Sequence, residues 1–363
     1  MDVILHKGGF TMNGELRVKH SSKYNEARRK RRMKILLGIG LSIGIIIIAL
    51  TTPIKERLMA RFQRVLIKIE EYTMTSENQQ IPNIENFKLS AVEAANTENN
   101  NEIEKYEYVT KRRRDVFKGN LQLINGSNAC LFRESDQLVD VKTNKNKSYK
   151  LIETRMKLNK EMISALNAMM KHFEETTGKH DMIMTSGYRN LAEQGEILQE
   201  KMNVLGEKQA LEWAMLPGYS EHHSGYAVDM SIYTDEGNYV KYKGQGDYAW
   251  INQNCYKYGF IRRYTEEKKE ITGVLDEQWH YRYIGVPHAY VVTAKNFCFE
   301  EYIDYLKQFT FEKAHLLVEC DAGKYEIYFV PSEGKETSVP VPSSKAYVIS
   351  GNNVDGFIVT VTL

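Results

Sequence analysis

The pattern of apolar and polar positions changes character several times along the chain. Residues 35–54, ILLGIGLSIGIIIIALTTPI, carry no charge, and about 20 apolar residues are what a helix needs to span a bilayer core. Residues 75–105 are rich in Asn, Glu, Ser and Thr with few large apolar groups, a composition that buries too little surface to fold and reads as a stalk. Periodicity resumes near residue 107. Between 159 and 177, Met162, Leu166, Met169 and Phe173 recur on one helical face, with Asn159 placed to cap the start and Gly178 the end. Residues 182–185 predict a strand, 191–203 a helix, and Pro217-Gly218 a turn. Residues 227–232 alternate as a half-buried strand does: Val228, Met230 and Ile232 share the core face, so Asp229 points the other way. Residues 250–258 predict a helix stopped by Gly259, followed by strands at 260–264 and 279–284. Beyond 311, four short β-like runs (314–318, 324–330, 346–349 and 357–361) are separated by Gly, Pro, Ser and Asn, which predicts a small all-β appendage. Helices and strands mixed without a regular βαβ rhythm make the main domain α+β.

Charge orients the apolar segment. Residues 1–34 hold ten Lys/Arg against three Asp/Glu, a net of +7, which leaves −5 on the rest of a chain whose overall charge is +2. A basic patch can mean nucleic acid, but this one, Arg28 to Lys34, directly precedes the apolar run. Basic residues stay on the cytoplasmic side, so residues beyond about 55 are expected outside. The run is longer than the apolar core of a cleavable signal peptide, and no A-x-A-like site follows it. The expected organisation is a basic cytoplasmic tail (1–34), a transmembrane helix (35–54), an extracellular stalk (55–106), a main domain (107–310) and the β appendage (311–363). Cys130, Cys255, Cys298 and Cys320 would then lie in an oxidising space. They form no CxxC spacing, and inert buried cysteines are the default reading.

Two short segments concentrate metal-binding side chains: Ser220-Glu221-His222-His223-Ser224-Gly225-Tyr226-Ala227-Val228-Asp229 and Glu277-Gln278-Trp279-His280. A catalytic zinc site takes three protein ligands and leaves one position for water. His222, Asp229 and His280 would supply two imidazoles and a carboxylate, leaving Glu277 as a base. Residue type alone leaves His223 as an alternative to His222 and Asp276 as an alternative to Glu277. Glu277 and His280 are three apart, so on a plain strand they face opposite ways, and a bend near Gln278 is required for both to reach one ion.

The segments MTSGYRNLAEQ, PGYSEHHSGYAVDMS, WINQNCYKYGFIRRYTEEKKEITG and DEQWHYRYIG resemble the VanY-type D-alanyl-D-alanine carboxypeptidases over roughly residues 118–310. The order S-x-H-x-x-G-x-A-x-D followed by E-x-W-H carries the resemblance. It implies a hedgehog/D,D-peptidase-like fold with an antiparallel sheet. It also implies one catalytic Zn2+ on His222, Asp229 and His280, with Glu277 as the base. Arg189 would polarise the scissile carbonyl, Ser220 would contact the terminal carboxylate, and Gln194 would line the substrate site. The implied substrates are peptidoglycan stem peptides ending in D-Ala, on the outer face of a Gram-positive membrane, with a link to glycopeptide resistance. An L,D-carboxypeptidase, a D,D-dipeptidase and a non-catalytic zinc-bearing wall-binding protein share the same residues. Gln278 departs from the Pro common in relatives. The stalk and the β appendage fall outside the resemblance.

Overall fold

In the computed structural model, residues 84, 86–93, 105–131, 137–211 and 213–363 are described. The apolar run at 35–54 and its basic flank lie outside the described residues, among which no helix is long and apolar enough to cross a membrane.

A sheet at the centre carries the motif segments. Its order is Lys150–Leu151, Met182–Ser186, Ala227–Tyr233, Glu277–Tyr283, Phe260–Tyr264, with Tyr239–Lys241 also paired to Ala227–Tyr233. All pairs are antiparallel except the first, which is parallel, a small departure from the expected wholly antiparallel sheet. The helix Lys160–Thr177 covers the sheet with Met162, Leu166, Met169 and Phe173, which are fully buried against Met184, Val228, Met230 and Tyr281. The predicted helix face and strand parity therefore meet in one core. Asn159 does occupy the N-cap position, but its amide donates to Ser224 O at 2.9 Å instead of capping the helix. That diversion ties the start of the helix to the histidine-bearing turn. Gly178 ends the helix in the left-handed region at φ 72°. The expected helix at 250–258 is in two parts, α over Ala249–Asn254 and 3-10 over Cys255–Tyr258.

The second sheet runs Lys88–Glu93, Ala314–Cys320, Gly323–Pro331, Gly356–Thr362, Tyr347–Gly351. It is buried on both faces. Leu316, Val318, Ile327 and Ile358 pack on the helices His288–Lys295 and Phe299–Leu306, whereas Tyr328, Val330, Phe357 and Val359 pack against Val339, Val341 and Val116. Double-sided burial explains the consecutive apolar residues 327–330 and 357–359 in its central strands. The strands beyond 311 thus share a core with the helices before them, and residues 81–363 form one compact unit. Lys88–Glu93, inside the stretch read as stalk, is the edge strand of this sheet. The strand Glu336–Pro342 escaped the sequence reading because Pro340 and Pro342 look like breakers. Paired with Tyr106–Arg112 on one side only, it has a free edge that needs no proline N–H. Cys130, Cys255, Cys298 and Cys320 are all buried.

Candidate metal centre and its cleft

The histidine-bearing turn is built from Ser220. Its hydroxyl accepts the His222 N–H, opening the 3-10 helix Glu221–Ser224, and Gly225 closes the turn at φ 73°. That left-handed backbone favours glycine, and a Cβ at residue 225 would also lie 2.5 Å from Leu138 Cδ2, which would have to shift. The turn is laced to the Ser186–Arg189 segment. Arg189 N–H donates to His222 O at 3.3 Å, His222 Nδ1 lies 2.7 Å from Gly187 O, and His223 Nδ1 lies 2.7 Å from Arg189 O. A carbonyl only accepts, so both imidazoles carry their proton on Nδ1. The two histidines then part ways. His223 Nε2 accepts the Gly218 N–H at 2.9 Å and is consumed in the scaffold, whereas His222 Nε2 faces Asp229 Oδ2 at 3.3 Å.

Asp229 and His280 are register partners on neighbouring strands. His280 presents Nδ1 to Asp229 Oδ1 at 2.9 Å, and ligand atoms of His222, Asp229 and His280 all lie within 4.8 Å of one another. The bend required near Gln278 is present: the pairing of Glu277–Tyr283 with Phe260–Tyr264 shifts register between Glu277 and Tyr281. Through it, Glu277 and His280 line the same cleft. Asp276 is engaged elsewhere, 3.6 Å from Arg262 Nη2 and accepting from Gln278 Nε2 at 3.1 Å. Glu277 makes no ion pair or side-chain hydrogen bond with another described residue.

Arg189, Ser220 and Gln194 line the cleft as well. Arg189 donates to Ser186 Oγ at 3.2 Å and to Ser220 Oγ at 3.4 Å. Gln194 is buried, its amide donating to Met215 O at 2.7 Å while Oε1 has no partner. At the cleft edge, Lys241 Nζ sits 3.7 Å from the centre of the Trp279 ring and 5.4 Å from that of Trp213.

The electrostatics separate His222 from His280. Burial, reinforced by Arg189, pushes the His222 imidazole down to about 4, so its Nε2 lone pair is free near neutrality. Burial would also lower His280, but the Asp229 and Glu221 carboxylates outweigh it and bring the ring up to about 9. The field that draws a proton to Nδ1 there is one that a metal cation can use instead. Asp229 is held well below the usual carboxylate range by the two imidazoles, against its own burial. Burial pushes Glu277 up to about 7, with Asp229 adding to the shift and His280, Lys241 and Arg189 opposing it. Two imidazole nitrogens and a carboxylate converging on one space, beside a carboxyl poised near neutrality, match the donor set of a three-ligand zinc site with an adjacent base.

Sequence reasoning passed over Glu221. It is fully buried between His280, Arg263 and Arg282. A signal existed: Arg263 precedes Tyr264 in the strand Phe260–Tyr264 and Arg282 stands between Tyr281 and Tyr283, and a guanidinium buried among such neighbours demands a buried anion.

The family model for VanY, D-alanyl-D-alanine carboxypeptidase, matches residues 155–286. A D-alanyl-D-alanine carboxypeptidase of Enterococcus faecium is 35% identical over 274 residues, 73% of this chain and 82% of that protein. The bifunctional D-Ala-D-Ala dipeptidase and D-Ala-D-Ala carboxypeptidase VanXYC of Enterococcus gallinarum is 37% identical over 131 residues, 35% of this chain and 69% of that protein. Among solved structures, the vancomycin-resistance D,D-dipeptidase VanXYg, in complex with a D-Ala-D-Ala phosphinate analog, superposes with a TM-score of 0.64 at 26% identity. The match covers 71% of this chain and 100% of that one.

Proposed function

This chain belongs to the VanY-type D-alanyl-D-alanine carboxypeptidases, and from that premise we propose that it removes the terminal D-alanine of peptidoglycan pentapeptide stems with one zinc ion. His222 Nε2, an Asp229 oxygen and His280 Nδ1 would hold the ion. The observation that carries this reading is the unpartnered Glu277 in one cleft with that three-ligand set. Bound there, zinc supplies Lewis acidity and a water of lowered pKa. Glu277 takes the proton of the attacking water and passes it to the amine of the departing D-alanine. Arg189 faces the carbonyl oxygen as negative charge builds on it. Ser220 Oγ meets the terminal carboxylate. The unpaired Oε1 of Gln194 accepts an N–H of the bound peptide, satisfying a buried acceptor that otherwise lacks a partner.

Muropeptide tripeptide, tetrapeptide and pentapeptide stems, together with free D-Ala-D-Ala, separate this reading from its relatives. Mass analysis should find D-alanine and tetrapeptide from the pentapeptide alone. Trimming of the tetrapeptide would mark an L,D-carboxypeptidase, cleavage of the free dipeptide a D,D-dipeptidase, and no product at all a binding protein.

The uncharged apolar run carries a proposal about place: a type II anchor at 35–54 puts the catalytic unit on the outer face, where stems ending in D-Ala-D-Ala are exposed. There it would strip the ligand of glycopeptide antibiotics. The six basic residues Arg28, Arg29, Lys30, Arg31, Arg32 and Lys34 support that orientation. Protease added to intact protoplasts should release the C-terminal unit, and full protection of that unit would refute the orientation.

A further inference from the structure

We propose that Glu221 is a positioning residue for the metal centre: it holds His280 in the tautomer and ring orientation that present Nδ1 to the cation. The inference rests on the reading of His280 as a ligand. The geometry is that of a fixed anion behind a coordinating ring. Glu221 Oε2 lies 3.2 Å from His280 Nε2, on the far side of the ring from Asp229, and its side chain is completely shielded from solvent. Ligation through Nδ1 requires the ring proton on Nε2, and a carboxylate facing Nε2 selects that tautomer.

The anion is itself held rigidly. Glu221 Oε1 accepts from Arg263 Nε at 2.8 Å and forms an ion pair with Arg282, whose Nη1 lies 3.2 Å away. Arg263 in turn forms a two-pronged pair with Glu300, at 2.9 and 2.7 Å, on the helix Phe299–Leu306. Arg282 also donates to the carbonyls of Asn120 and Gln122, at 3.0 and 2.9 Å. A network of this kind ties a ligand on the central sheet to the helix that supports the second sheet. Each member is buried or nearly so, and ionised groups in such a place keep a single arrangement because any alternative leaves a charge unpaired.

Glutamine at 221 discriminates positioning from mere support. Its single amide oxygen can face the arginines or His280, but not both. If the oxygen stays with the guanidinium groups, the NH2 points at His280 Nε2 and favours the ring proton on Nδ1, the atom needed for the cation. Glu221→Gln should therefore weaken zinc binding by about 10–100-fold in chelator competition. Glu300→Gln serves as the comparison, since it loosens Arg263 without touching His280. It should lower Tm while leaving zinc affinity near wild type.

Wild-type affinity in Glu221→Gln, or affinity losses that track the Tm losses in both variants, overturns the proposal. If Glu221→Gln does not fold, nitrogen-15 spectra of the imidazoles in the zinc-loaded wild-type protein decide. A proton on His280 Nε2, shifted downfield by a carboxylate partner, supports the proposal, and its absence sinks it. His280→Ala is measured alongside. Retention of zinc there would overturn the ligand assignment itself, a failure distinct from that of Glu221 alone.

Discussion

Glu277→Ala is expected to keep the fold and the bound zinc while losing nearly all D-alanine release. General-base catalysis alone is worth roughly 10²–10⁴-fold, and loss of the group that orients the water enlarges the deficit. The expectation follows from position. Glu277 shares the cleft with the proposed three-ligand set but forms no ion pair with another described residue, and Arg282, the arginine nearest it in sequence, is committed to Glu221. A carboxyl whose only task was structural would have such a partner. Its removal also has a distinctive stability signature. The fold raises this carboxyl to about 7, above its unfolded value, so ionising it costs folding free energy as pH rises through that interval. In the metal-stripped protein, Glu277→Ala should therefore raise Tm at pH 8 and leave it nearly unchanged at pH 4. A bound cation lowers the pKa of a neighbouring carboxyl, which puts the acid limb of kcat/KM at or below about pH 7. Asp276→Asn, at a side chain turned toward Arg262, should change activity little. An active, zinc-loaded Glu277→Ala enzyme would overturn the mechanism.

Loss of the metal is the second large effect, and it should discriminate between adjacent residues. His222→Ala and His280→Ala each remove one of the three proposed ligands and should abolish both tight zinc binding and turnover. His223→Ala should retain close to one zinc per chain, because both of its ring nitrogens are already taken by the Arg189 carbonyl and the Gly218 N–H. It is not silent, however. A buried donor and a buried acceptor lose their partner, a cost of roughly 1–3 kcal/mol for each group left unsatisfied, which should appear as a lower Tm. Metal analysis and melting curves on the same three samples make the comparison. Zinc lost from His223→Ala and retained in His222→Ala would place the ligand one residue further along.

The sequence by itself determined much of this protein. Periodicity located the helix Lys160–Thr177 and the strand Ala227–Tyr233, and alternation along that strand turned Asp229 away from the core. These properties are local, since side-chain direction repeats every 3.6 or 2 residues whatever the rest of the chain does. The order of Ser, His, Gly, Asp, Glu and His carried the family resemblance in the same way. What depended on distant segments stayed hidden. Whether His222 or His223 faces Asp229 is decided by carbonyls more than 30 residues away, at Gly187 and Arg189. The register shift that aims Glu277 into the cleft arises only where its strand meets Phe260–Tyr264. Glu221 had no assigned role until the fold set Arg263, Arg282 and His280 around it. The residues from 311 onward looked like a separate appendage, yet their inner face is completed by helices that precede them. In each case a residue type states what a side chain can do, and only the fold states what stands opposite it.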